Sequence, residues 1–223
     1  MIIKKRQVGI DRMITLNPVL GCPIGCPYCY ARKMNQRFKF TPDFSIPTKM
    51  PNALNRLKTI HNKDIFMTSM SDFSYWDPDW REQVFEEMKK NTSNQYLFLT
   101  KNPKGLEGFD CSTFPNVWIG VTVTKNMDLH RLTEILSSVK ARHYWITFEP
   151  LHEDINPIPL NVKKRFDWVV IGDETGNRAG KIVAKDSWII NLANQFPNTP
   201  VCMKERLQDS LGDEWRNEYP SEF

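Results

Sequence analysis

Three of the five cysteines in this 223-residue chain fall within one short segment, Cys22-Pro23-Ile24-Gly25-Cys26-Pro27-Tyr28-Cys29. Thiolates are soft ligands, suited to iron–sulfur clusters and to zinc. The C-x3-C-x2-C spacing lets one loop wrap one metal centre. Pro23, Gly25 and Pro27 stiffen and bend that loop, and Gly25 can take backbone angles that other residues avoid. Three thiolates can hold three corners of a 4Fe–4S cube and leave the fourth corner open for chemistry. A structural zinc knuckle is the alternative, but a closed zinc site needs a fourth ligand. Cys111, Cys202 and the four histidines are all distant in sequence, so none supplies the usual paired spacing. The segment points to a metal-dependent enzyme. The competing reading is a non-catalytic zinc- or cluster-binding interaction module.

Such a loop must be held by a scaffold, and the sequence around it alternates. Short apolar runs predict strands over Arg12–Pro18, Asp64–Asp72, Gln95–Asn102, Val117–Thr124, Tyr144–Pro150, Asp167–Asp173 and Pro200–Lys204. Runs such as Trp168-Val169-Val170-Ile171 are continuously apolar, as in parallel strands covered on both faces. Helical periods lie between them. Asp77 with Pro78 can open one helix, Asp128 another, and Asp186 or Ser187 a third. Tyr30–Phe38 can form the first helix, and Lys39–Met50 reads as an irregular connection. Alternating strands and helices imply a parallel α/β sheet. Six or seven units are too few for a closed eight-fold barrel, so the expected fold is a partial, open TIM-like βα barrel of about six parallel strands. A flat doubly wound sheet is the alternative. In either, the site lies at the carboxyl ends of the strands, where the cysteine segment also falls. One domain over 1–207 is expected, followed by a polar surface tail over 208–223.

Composition adds bounds. Apolar residues make up 40% and charged residues 25%, with a formal net charge of +4. These are ordinary globular values, and the mild basicity does not by itself argue for nucleic acid. No apolar run reaches the roughly 20 residues that span a bilayer. An odd cysteine count suits a reducing, cytoplasmic setting, where clustered cysteines ligate metal more often than they pair.

The C-x3-C-x2-C motif, with aromatic Tyr28 just before the third cysteine and a predicted strand before the first, resembles the signature of the radical S-adenosylmethionine superfamily. Further segments extend the likeness: Asn17-Pro18, Ser69-Met70-Ser71-Asp72, Leu99-Thr100-Lys101, Trp118-Ile119-Gly120-Val121-Thr122, Glu149-Pro150 and Trp168-Val169-Val170-Ile171-Gly172-Asp173-Glu174. In that order they are similar to a phage and mobile-element family of unknown function that itself resembles spore photoproduct lyase. The resemblance implies a radical S-adenosylmethionine core in which Cys22, Cys26 and Cys29 hold a 4Fe–4S cluster. It implies reductive cleavage of S-adenosylmethionine to a 5′-deoxyadenosyl radical that abstracts hydrogen from a substrate. A flavodoxin- or ferredoxin-like electron donor is the implied partner. By position, Tyr28 would lie near the adenine, and Ser69, Ser71 and Asp72 near the methionyl amine. Thr122 would lie near the ribose and carboxylate. Glu149 and Asp173 end later strands, and Lys101 could neutralise a carboxylate or phosphate. Lys204 and Cys202 are the candidate catalytic groups, Cys202 as a hydrogen donor, with a small buried hydrophobe as the competing reading of that thiol. Relatives often carry Cys before Glu-Pro; here that position is Phe148.

The substrate is less well marked. Basic residues cluster at Lys4-Lys5-Arg6, at Arg32-Lys33 with Arg37 and Lys39, and at Lys163-Lys164-Arg165. The second cluster has Phe38 and Phe40 beside it. Such interleaving suits nucleic-acid contact, while solvated helix faces explain the same residues without a ligand.

Overall fold

The computed structural model describes residues 13–223. The basic run Lys4-Lys5-Arg6 and the first residue of the Arg12–Pro18 strand lie outside the described residues. Seven strands form one sheet: β1 (Met13–Thr15), β2 (Asp64–Phe66), β3 (Gln95–Thr100), β4 (Val117–Thr122), β5 (His143–Phe148), β6 (Trp168–Ile171) and β7 (Val201–Met203). They lie side by side in chain order. Every pairing is parallel. The sheet is therefore an open α/β half-barrel, with one strand more than the six expected.

Helices lie between the strands: α1 (Tyr30–Phe38), α2 (Pro51–Leu57), α3 (Pro78–Lys90), α4 (His130–Ser138), the short α5 (Leu160–Lys163), α6 (Asp186–Asn194) and the terminal turn α7 (Gln208–Leu211). Asp77 caps α3 as its sequence position predicts, accepting from the Asp79 amide at 2.9 Å. Asp128 does not open α4. Its carboxylate instead accepts from the Thr124 amide and hydroxyl and pairs with Arg131 at 2.9 Å. The helix α2, with Pro51 in its first turn, lies beyond the expected irregular stretch. Within that stretch Thr48–Lys49 pairs antiparallel with Val19–Leu20.

Strand alternation sorts the core into two. Val169 and Ile171 face the helix layer with Val84, Phe85, Met88, Leu132, Ile135, Ile189 and Leu192. Trp168 and Val170 face the other way, into a smaller core with Phe66, Leu97, Trp118, Trp145 and Cys202. Burial of this much aromatic and aliphatic surface, at roughly 25 cal/mol per Å², is the main force shaping the sheet.

Residues 208–223 are not a surface tail. The Met203 amide donates to the Arg216 carbonyl at 2.8 Å, and the Glu218 amide to the Val201 carbonyl at 3.0 Å, so the segment runs antiparallel along the edge of β7. Trp168 Nε1 donates to the Glu218 carbonyl at 3.1 Å. Phe223 packs against Trp118 and Trp168 at 4.8 and 5.1 Å between ring centroids. The physical reason is the exposed edge of an open sheet, which needs cover. Leu211, Trp215, Tyr219 and Phe223, evenly spaced through an otherwise polar run, supply the apolar contacts. Among the described residues, no helix is long and apolar enough to cross a membrane.

Candidate functional site

The cysteine segment sits between two anchored ends. Gly21 has φ +102, and its amide donates to the Met70 carbonyl at 3.0 Å. A Cβ there would stand 2.5 Å from the Ile46 carbonyl oxygen, so both the conformation and the close approach require glycine. The Cys22 amide then donates to Phe44 at 2.7 Å. At the other end, Cys29 caps α1, its sulfur accepting from the Arg32 amide at 3.4 Å. The N-terminus of a helix favours negative charge, and the Cys29 sulfur stands at that position. Arg32 closes the loop by donating to the Cys22 carbonyl at 2.9 Å. All three thiols are half-buried and free of disulfides. Burial pushes the Cys22 thiol up to about 12.

Beneath this loop, at the carboxyl ends of the strands, lies a cavity of about 300 Å³. Its walls include Cys22, Cys26, Cys29, Tyr28, Ser69, Ser71, Asp72, Lys101, Thr122, Glu149 and Asp173. Every cofactor and metal position expected from the sequence thus meets in one space. The volume is at the lower end of the range for small-molecule pockets. Among the described residues, no three His, Cys, Asp or Glu side chains converge to hold a single metal ion.

The hydrogen bonds divide the lining into scaffold and available groups. Asp72 is scaffold. Its carboxylate accepts from the Ser74 amide and hydroxyl, from Thr100 Oγ1 at 2.7 Å and from the Lys101 amide at 2.7 Å. It ties the end of β3 to the turn after β2. Ser69 is similarly engaged by Asn17, whose side chain also receives the Met70 amide at 2.9 Å. Ser71 accepts from Trp76 Nε1 at 2.9 Å and keeps its own proton to donate. Thr122 is fully buried, yet among the described residues its Oγ1 finds no hydrogen-bond partner. A buried hydroxyl without a partner, on a residue that lines a cavity, is a candidate contact for a ligand group. The Lys101 ammonium lies 5.9 Å from the Tyr28 ring centroid. Burial and the neighbouring Cys26 push the Tyr28 phenol up, so it stays protonated and can donate. Asp173 pairs with the half-exposed Arg206 at 3.3 Å.

The two candidate catalytic groups fall outside the lining. Lys204 stands behind Glu149, with its ammonium 3.4 Å from the carboxylate and both side chains nearly buried. Cys202 lies in the inner aromatic core below the cavity, with its sulfur against Asn217 and Tyr219 at 3.6 and 3.7 Å. Strand alternation does send it to the concave face, but one residue pair too deep to reach the mouth. Phe148 packs with the helix-side core. A thiol at that position in this chain would face away from the cavity.

The rim holds a cluster around Glu174, a residue placed by the sequence at the end of β6, whose link to Arg178 and His152 the sequence reading did not draw. Glu174, almost fully buried, is clasped by Arg178 through two bonds of 2.7 and 2.9 Å, and His152 Nε2 lies 3.2 Å away. His152 meets the Tyr28 ring edge-on at 5.3 Å. The i, i+4 spacing of Glu174 and Arg178 was the available signal. The Arg178 guanidinium holds the Glu174 carboxyl down to about 2. A carboxyl depressed on folding adds stability above its ordinary pKa, and loses it as pH falls toward the folded value. Arg178→Gln is therefore expected to lower the urea midpoint near neutral pH. It should also flatten the loss of stability between about pH 5 and about pH 3. Parallel pH curves for the two proteins would contradict the clasp.

A model of the family described as "Protein of unknown function (DUF5131)" matches residues 11–203. No curated protein and no solved structure matches the chain significantly.

Proposed function

The chain belongs to the DUF5131 family of proteins of unknown function, and on that premise we propose that it is a radical S-adenosylmethionine enzyme. One observation carries the reading. The three thiols and the polar residues ending β2 to β6 line a single cavity, although the sequence scatters them from Cys22 to Asp173. The donor set fits the groups implied. Cys22, Cys26 and Cys29 would hold a 4Fe–4S cluster through soft thiolate ligands. The remaining lining would receive an amino-acid-type nucleoside. Glu149 and Asp173 suit its ammonium, Lys101 its carboxylate, and the unpartnered Thr122 hydroxyl its ribose. When bound, the cluster supplies the electron that cleaves S-adenosylmethionine to methionine and a 5′-deoxyadenosyl radical, which takes hydrogen from the substrate.

The residues do the rest by binding and exclusion. Asp72 fixes the backbone of Lys101 and so aims that side chain at the cavity. Arg32 and the Cys29 cap fix the two ends of the cysteine loop. The half-buried wall limits water around the reacting groups. A flavodoxin- or ferredoxin-like donor would supply electrons, in a reducing cytoplasmic setting that keeps five thiols free. Anaerobically reconstituted protein given dithionite and S-adenosylmethionine is expected to release 5′-deoxyadenosine, measured by chromatography. Intact S-adenosylmethionine after many hours, with iron and sulfide bound, would count against the reading.

A further inference from the structure

The far end of α1 exposes an aromatic pair that the cavity does not use. Phe38 and Phe40 are 53% and 44% exposed. Their rings stack at 5.6 Å between centroids with 29° between planes. The fold builds this arrangement. Lys39 between them takes the left-handed conformation, φ 54, which is disfavoured for a residue other than glycine. Its amide donates to the Asn35 carbonyl at 2.8 Å. Asn35 is buried, and its side chain accepts from the Thr41 amide at 2.9 Å and donates to the Thr41 carbonyl at 3.0 Å. The turn is thereby pinned with both rings in solvent.

The surroundings are cationic. Lys33, Arg37 and Lys39 are exposed. The Arg37 guanidinium lies 5.1 Å from the Phe38 ring centroid. Among the described residues, none of these three cations has a carboxylate partner. The one acidic residue between Tyr30 and Met50 is Asp43, and its carboxylate is turned onto the Ser45 amide and hydroxyl. A partner for this surface must offer flat π faces together with repeated negative charge. Single-stranded nucleic acid has both, whereas a duplex hides its base faces. The location fits as well. Tyr30 and Ala31, at the other end of α1, line the cavity. A nine-residue helix sets Phe38 roughly 12 Å from Tyr30 along its axis, so one strand can reach both.

We propose that Phe38 and Phe40, with Lys33, Arg37 and Lys39, bind single-stranded nucleic acid and present it to the cavity as substrate. This deepens the functional reading above and rests on it for the chemistry, while the binding stands without it.

The test is fluorescence anisotropy of anaerobically prepared full-length protein with short labelled oligo-dT and oligo-U, without S-adenosylmethionine or reductant. The two oligonucleotides distinguish DNA from RNA as the source of the strand. Binding is expected at low salt. Phe38→Ala/Phe40→Ala should weaken it by about 100-fold, roughly tenfold for each ring. Phe38→Leu/Phe40→Leu keeps the bulk without the π face and should lose as much. Lys33→Gln/Lys39→Gln should lower the slope of log K against log salt by about 1.4. Circular dichroism checks that each variant folds. The proposal is overturned by no binding at low salt, by leucine variants that bind like the parent, or by a duplex that binds equally well. Ring-dependent binding to phosphatidylserine vesicles in place of the oligonucleotides would overturn it too, assigning the patch to a lipid surface. Because the assay needs no turnover, its failure leaves 5′-deoxyadenosine release as a separate result.

Discussion

Cys26→Ala is expected to keep its fold and lose its chemistry. After anaerobic reconstitution, iron and sulfide should fall to background, and 5′-deoxyadenosine release should drop by more than about 100-fold. That bound follows from residues that only orient a metal's ligands, whose loss alone costs roughly 10- to 100-fold in metal affinity or activity. Removing a ligand costs more. The fold should survive because Cys26 is half-buried in a loop and belongs to neither core cluster. The loop's ends also hold without it, through Gly21 on Met70 and Arg32 on Cys22. A change in stability within about 1 kcal/mol is expected by urea titration. A variant with parental iron content and turnover would remove Cys26 from the site.

Lys204→Met should act in the opposite sense, on stability first. Lys204 and Glu149 face each other at 3.4 Å, with 13% and 10% of their side chains exposed. Gly172 on the strand between them makes the space, since a Cβ there would stand 2.9 Å from Lys204 Cγ and 3.0 Å from Glu149 Cδ. Removing the ammonium alone leaves a carboxylate in a poorly solvated place. Breaking a buried pair from one side costs about 3–5 kcal/mol. Lys204→Met/Glu149→Gln removes both charges and should recover most of that loss, because replacing a whole pair is often close to neutral. Chemical denaturation of the two variants beside the parent decides it. If the double variant is no more stable than the single one, the charges do not depend on each other and the pair is only a contact.

Much of this site was legible because its signals are local. The three cysteines carry their spacing in one segment, and Cys29 both ends the motif and caps α1. The strands read correctly because a parallel sheet covered on both faces demands uninterrupted apolar runs, as in Trp168–Ile171. Residues just past those runs then had to reach one cavity, as Thr122, Glu149 and Asp173 do. What stayed hidden depended on distant partners. Asp72 reads by position as a cofactor contact, while its ties to Ser74, Thr100 and Lys101 at the cavity wall could be seen only in the fold. Cys202 could be read as a hydrogen donor or as a small buried hydrophobe, and only its depth along β7, among tryptophans, decides for the second. The final segment looked polar in composition, while its four evenly spaced apolar residues pack on the two cores that only the assembled half-barrel creates.

Metal and acid-labile sulfide analysis of anaerobically purified, reconstituted protein addresses the central claim most directly. The account predicts about four iron and about four sulfide per chain, lost together in Cys26→Ala. Stoichiometric zinc without iron or sulfide would contradict it and leave the three thiols as part of a structural knuckle.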